Sequence, residues 1–165
     1  MTLTQLPDII DSADIREPRT RLAKLFDLGT MHIIGPDDGC GVLAATGAID
    51  GVTVIAFATD ATRSGGALGT AGSSRIVDAI NIAVAERVPV IGIWHSGGAL
   101  LTEGVTALDG IGRVFSAITR ASGRIPQISL VLGPAAGGAA YGPALTDVVI
   151  MSAGGRMFVT GPDVV

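Results

Sequence analysis

Cysteine and histidine are nearly absent. A single cysteine, Cys40, allows no internal disulfide and no cysteine cluster. With only His32 and His95 beside it, a zinc site is not expected, and Cys40 reads as inert. Aromatic residues make up 4% and charged residues 16%, against 48% hydrophobic, so any core must be built from small and aliphatic side chains. The net charge is −4 and the arginines at 63, 75, 113, 120 and 124 are scattered, which leaves no basic stripe for nucleic acid. No apolar run approaches the ~18 residues needed to span a bilayer. The acidic start, with Asp8, Asp11, Asp14 and Glu17 and no apolar block after a basic segment, does not resemble a secretory signal. A soluble, cytoplasmic protein with no membrane and no nucleic-acid partner is expected.

What the chain does have is glycine, 24 of 165 residues, although a fixed glycine costs more conformational entropy than any other residue. Residues 1–40 read as a leading arm carrying a short helix in "PRTRLAKLFDLGT", with Leu22, Leu25 and Phe26 on one side and Gly29 where the helix stops. "GVLAATGAIDGVTVIAFATD" gives two β-rich runs around Asp50-Gly51, an antiparallel hairpin. A helix follows, capped by Ser73 or Ser74, with Ile76, Ile80, Ala83 and Val84 inward and Pro89 forbidding continuation. "VPVIGIW" then reads as a buried strand. Leu101, Val105, Leu108, Ile111, Val114 or Phe115, and Ile118 form the apolar side of a second helix that ends near Ser122-Gly123. "PQISLVL" is the next strand, followed by a glycine-rich stretch, a short Ala-rich helix, and strands in "TDVVIMS" and "RMFVT". The layout is α/β, opening with a hairpin.

Strand passes to helix twice with the same punctuation, Gly97-Gly98-Ala99 and Gly137-Gly138-Ala139. Such corners aim backbone N–H groups at the space beyond the strand ends and would stabilise a phosphate, or the oxyanion of an enolate beside a thioester carbonyl. Small residues there also let a helix pack close to a sheet, and the residues alone leave both readings open. Nucleotide motifs fail on spacing. "GIGRVF" has Phe115 where the last glycine of a dinucleotide fingerprint belongs and lies within a helix, and no phosphate-loop motif exists. "WHSGG" sets Ser96 beside His95, but Trp94 stands where a nucleophile elbow needs glycine, and neighbours on a strand point to opposite faces. Tyr141 reads as a packing residue and Asp147 as a cap or turn residue.

Three long motifs, "PVIGIWHSGGALLTEGVTALDGIGRVF", "ASGRIPQISLVLGPAAGGAAYGPALTD" and "MFVTGPDVV", closely resemble the carboxyltransferase β subunits of biotin-dependent acyl-CoA carboxylases of the actinobacterial acetyl- and propionyl-CoA type. The likeness runs from about "PRTRLAKLFDLGT" to the last residue. It implies a crotonase-like spiral of ββα units, with residues 41–165 as the first part of the acyl-CoA-binding N-terminal carboxyltransferase domain and the C-terminal domain absent. It also implies a reaction: carboxybiotin on a partner subunit releases its carboxyl group, the biotin nitrogen takes a proton from the carbon next to the thioester, and the enolate of acetyl-CoA or propionyl-CoA captures the carboxyl carbon. The acetyl product would be malonyl-CoA, for fatty acid biosynthesis. By the resemblance, the backbone at Gly97, Gly98, Ala99, Gly137, Gly138 and Ala139 forms the oxyanion hole. The partners implied are acyl-CoA, a biotin carboxylase/biotin carrier α subunit, and further copies of the chain in a hexamer. Leu100 stands where the family usually has arginine, Ala135 where many members have cysteine, and Gly142 where they have serine. A chain of this extent would be a fragment inactive alone and prone to association through exposed apolar surface. Another crotonase-fold acyl-CoA enzyme, a hydratase or decarboxylase, and a noncatalytic remnant are the alternatives.

Overall fold

The computed structural model describes residues 14–160. Asp8, Asp11 and the closing "GPDVV" lie outside them. The chain runs α1 (Pro18–Leu25), β1 (His32–Ile34), β2 (Val42–Ile49), β3 (Val52–Thr59), α2 (Thr70–Glu86), β4 (Val90–Ser96), α3 (Val105–Ala121), β5 (Gln127–Ala136), α4 (Gly138–Ala144), β6 (Val148–Met151) and β7 (Arg156–Phe158). Short 3₁₀ turns at Ser64–Gly66 and Leu101–Glu103 precede α2 and α3.

One mixed sheet carries the fold, in the order β1-β2-β3-β4-β5-β6, with β7 alongside the far end of β5. The first three strands pair antiparallel and the rest parallel. The hairpin turn is the one expected: Asp50 and Gly51 both adopt positive φ, 49° and 76°, which suits a tight two-residue hairpin. From β3 onward each parallel neighbour needs a helical crossover, and α2 and α3 supply two of them. Ile76, Ile80 and Ala83 of α2 and Ile111, Val114 and Ile118 of α3 bury against Phe57, Val90, Trp94 and Val131 on one face of the sheet. Each fully buried aliphatic side chain contributes about 1.5–3 kcal/mol. Trp94 meets Phe57 edge-on, centroids 5.3 Å apart, and its Nε1 donates to Ser129 Oγ. The opposite face carries a second core, Leu43, Ala45, Val54, Ala56, Ile91 and Ile93, covered by Leu22 and Phe26 of the α1 segment.

Four local expectations are corrected. α1 stops at Leu25, with Phe26 already extended, so Gly29 belongs to the following turn. α2 begins at Thr70, with Gly69 as its cap residue, and Ser73 lies inside it with its Oγ buried. The cap function comes from a distance instead: Glu103 accepts hydrogen bonds from Thr70 N (2.7 Å) and Thr70 Oγ1 (2.8 Å). β5 does not end at Leu132 but continues through "GPAA", because Pro134–Ala136 gain a partner in β7. Leu101, Val105 and Leu108 are exposed, not core. The helical period is right from Ile111 onward, but the preceding turns bury Ala107 and Gly110 and leave Leu101, Val105 and Leu108 facing outward.

Candidate functional site

The two glycine corners meet. β4 and β5 run side by side, and after a register shift beyond Trp94 the pairing resumes as Ser96 with Ala135, which brings the strand ends into step. Gly98 adopts φ +100°, and a side-chain Cβ there would lie 2.9 Å from the Ala136 carbonyl oxygen. Gly137 has φ +53°. A Cβ on Gly138 would reach 2.6 Å from Ile111 Cγ2, so α3 rests directly on the second corner. Glycine is therefore required at 98 by close approach to a carbonyl and by backbone conformation, and favoured at 137 by conformation, whereas at 138 the near neighbour is the Ile111 side chain.

The six expected donors divide by their hydrogen bonds. Gly97 N donates to Gly65 O at 2.9 Å and Gly137 N to Phe158 O at 2.9 Å, so both are spent within the fold. Gly98 N donates to Ser96 Oγ at 3.2 Å. Ala99 N, Gly138 N and Ala139 N have no acceptor among the described residues, the last two because they open α4. Gly97, Gly98, Ala99, Gly137 and Gly138 line one cavity of about 600 Å³. Its remaining wall is mostly apolar, with Leu101, Leu108, Ile111, Phe115 and Val159 beside Tyr141 and Thr160. Tyr141, expected to pack inside, is half exposed on this wall and meets Phe115 at 6.0 Å between ring centroids. The exposed first turns of α3 are thus the cavity's rim. No carboxylate, amine or imidazole lines it among the described residues.

A third copy of the motif escaped the sequence reading. "SGGAL" occurs at 64–68 as well as at 96–100. The structure lays the two copies together: Leu68 N donates to Gly98 O (2.7 Å), Leu100 N to Leu68 O (2.9 Å), and Gly97 N to Gly65 O. Gly66, φ +77°, sits against the His95 carbonyl so closely that no side chain fits. The repeated pentapeptide was the available signal, and it marks the loop that holds the first corner in place.

The other singled-out residues fall elsewhere. Ser96 is fully buried, and His95 faces the α1 side of the sheet, where its Nδ1 lies 3.1 Å from Arg21 Nη2. Burial and the charges of Arg21 and Arg16 lower the His95 pKa and keep the ring neutral. Ser96 and His95 form no nucleophile pair. Leu100 does not line this cavity but a neighbouring one of about 260 Å³, with Cys40, Arg63 and Glu103. Burial raises the Cys40 pKa and keeps the thiol protonated. Asp147 ties β5 to β6, accepting from Gln127 N at 2.8 Å. Among the described residues no cluster could hold a metal ion, and no helix is long and apolar enough to cross a membrane.

Residues 30–165 match the family described as the carboxyl transferase domain. The chain belongs to this family. A propionyl-CoA carboxylase beta chain of Rhodococcus erythropolis is 61% identical over 154 residues, covering 93% of this chain and 32% of that one. The biotin-dependent acetyl-/propionyl-coenzyme A carboxylase beta6 subunit of Mycobacterium tuberculosis is 54% identical over all 165 residues, 35% of its own length. Among solved structures, transcarboxylase 12S, crystallised as a hexamer with hydrolyzed methylmalonyl-coenzyme A bound, superimposes with a TM-score of 0.86 at 36% identity, over 90% of this chain and 32% of that one. The chain therefore spans about a third of the length of these carboxyl transferase relatives. The expected α/β, crotonase-like fold, present as an incomplete domain, is the fold found.

Proposed function

We propose that this carboxyl transferase chain holds the acyl-CoA substrate of a biotin-dependent acyl-CoA carboxylase, binding the thioester oxygen through backbone N–H groups at its two glycine corners. The observation that carries this is the pair of unaccepted donors at Ala99 and Gly138, both lining a largely apolar cavity, with the buried Ala139 next in the chain behind them. Fixed backbone donors in a site shielded from water stabilise an enolate oxygen without reorganising, each worth ~3 kcal/mol in the transition state. Gly98 N–H completes the group only if it exchanges Ser96 Oγ for substrate.

The cavity's own chemistry supports an arrangement in which the proton acceptor arrives from outside. Forming an enolate needs a base, and none of the described lining residues is one. Carboxybiotin, carried on an α subunit, would supply both the carboxyl group and, once decarboxylated, the basic nitrogen. No residue of this chain is assigned to biotin. Activity, acetyl-CoA against propionyl-CoA preference, the α-subunit partner, a hexamer and a cytoplasmic location all belong to this proposal. A hydratase would instead require a protein base in the same cavity.

Gly138→Pro tests the reading. Proline is tolerated at the first position of a helix and removes one N–H there. Gly138→Ala keeps the N–H while making the same contact with Ile111, and so serves as the control. In calorimetric titration with propionyl-CoA, the proline variant should bind about fivefold or more weakly than the alanine variant, the worth of one hydrogen bond. Equal affinities in two folded variants would remove Gly138 N–H from the site.

A further inference from the structure

The cavity at the glycine corners offers backbone N–H groups for one oxygen and little else that is polar. Of the described residues around it, only Tyr141 and Thr160 have polar side chains, and Tyr141 alone is titratable. Thr160 is exposed and lies outside any helix or strand. Tyr141 stands on α4, the helix whose first residue is Gly138.

Two successive contacts between α3 and α4 place it. At the first, the space a Gly138 Cβ would fill is 2.6 Å from Ile111 Cγ2. At the second, the Tyr141 ring meets Phe115 at 6.0 Å between centroids, the ring planes at 63°. The steps from Gly138 to Tyr141 and from Ile111 to Phe115 each span about one helical turn, ~5 Å. A helical Cα–Cβ bond tilts toward the start of its helix, so the Tyr141 side chain leans back over the turn that carries Gly138. Tyr141 is 46% exposed, and its hydroxyl has no hydrogen-bond partner among the described residues. Packing accounts for the ring but leaves the hydroxyl unexplained.

We propose that Tyr141 is a substrate contact, its hydroxyl donating to the carboxylate of the carboxylated acyl-CoA. The inference rests on the thioester reading above and adds the second anionic group that the same site must hold. Carboxylation places a carboxylate two C–C bonds from the thioester carbon, about 2.5 Å away. A thioester oxygen held at Gly138 therefore keeps that carboxylate within the same turn of α4. Against an apolar wall an unpartnered carboxylate is costly. The Ala99 and Gly138 donors are then taken by the thioester oxygen, and no guanidinium, ammonium or imidazole lines the cavity among the described residues. A neutral phenol also suits a carboxyl group in transit. A fixed cation would grip the carboxylated thioester more firmly than a transition state in which that group approaches neutral carbon dioxide, and so would slow transfer.

Tyr141→Phe removes the hydroxyl and keeps the ring against Phe115, so circular dichroism should show an unchanged fold. Calorimetric titration with two ligands that differ by one carboxylate, methylmalonyl-CoA and propionyl-CoA, reads the contact. The variant should bind methylmalonyl-CoA about tenfold to a hundredfold more weakly than the parent chain, the range for a hydrogen bond to a charged group, and propionyl-CoA as well as the parent does. Equal losses for the two ligands would give the hydroxyl to the thioester oxygen and overturn the proposal. No loss for either, with propionyl-CoA binding still weakened by Gly138→Pro, would overturn it and leave the thioester reading standing. A parent chain that binds neither ligand overturns both.

Discussion

Replacing Gly97 and Gly98 separately by alanine measures how closely the two corners must approach. At Gly97 an added Cβ would find the Gly65 carbonyl at 3.8 Å, an ordinary contact, and the backbone is not in the left-handed region. At Gly98 it would meet Ala136 O at 2.9 Å on a backbone with φ +100°. The conformation costs an alanine about 1–2 kcal/mol. Forcing a carbonyl aside in a packed region adds about 1–3 kcal/mol. The sum, about 2–5 kcal/mol, is a large share of the ~5–15 kcal/mol that holds a typical domain folded. For a chain of this size it corresponds to a fall in Tm of about 4–20 °C, while Gly97→Ala should shift Tm by only a degree or two. Thermal unfolding by circular dichroism reads both. Propionyl-CoA titration of the folded fraction then reads the site, where only the second variant should lose affinity, because moving Ala136 displaces Gly138 and Ala139. If Gly98→Ala unfolds within ~0.5 kcal/mol of Gly97→Ala, the limit for a surface change, the corners are not in enforced contact and the reasoning fails.

Ser96→Ala should leave any thioester chemistry in place and cost about 1 kcal/mol of stability, since the hydroxyl serves only Gly98 N–H; a thousandfold loss of turnover by the assembled enzyme would restore the serine to the reaction. Glu103 accepts from Thr70 N and Oγ1, which lowers its pKa, so its contribution is present above the unfolded carboxyl pKa and is lost as pH falls through the lower folded value. Glu103→Gln should therefore lower Tm at neutral pH and flatten the acid limb of the stability curve between those two values. An unchanged acid limb would show that the carboxylate does not cap α2.

The parts of the fold that were legible in the sequence are those decided within a few residues. Asp50-Gly51 needs two positive φ angles and names its own hairpin, and Pro89 bars α2 from continuing, although the helix already closes at Glu86 with Arg87 in the left-handed conformation. The period of Ile111, Val114 and Ile118 holds because a sheet lies beneath them. Where the answer depends on what lies across the fold, local signals mislead. Leu101, Val105 and Leu108 continue the same period but face outward, while Ala107 is the residue buried there. Ser73 is a good cap residue left unused because the helix starts earlier, at Thr70, where Glu103, 33 positions after it, supplies the acceptor. "GPAA" contains residues that weaken strands, yet β7 pairs with it.

The site shows the same division in sharper form. Glycine content and the doubled Gly-Gly-Ala located the corners, because close approach and positive φ are written in residue type. Which N–H groups remain available is not written there, since a donor's availability is set by its acceptor. Gly97 and Gly137, alike in sequence, are both consumed by carbonyls distant along the chain, Gly65 and Phe158. Those bonds have a use: each fixes the first residue of its corner, so that the donors after it, Ala99 in one case and Gly138 and Ala139 in the other, are held by neighbours already satisfied. A glycine corner that spent none of its N–H groups within the fold would be free to move, and preorganised donors are what an oxyanion site requires. The loop carrying the first "SGGAL" is on this argument part of the site without touching it. Gly66, pressed on the His95 carbonyl, is the position at which a methyl group would disturb the first corner while leaving every candidate donor chemically unchanged.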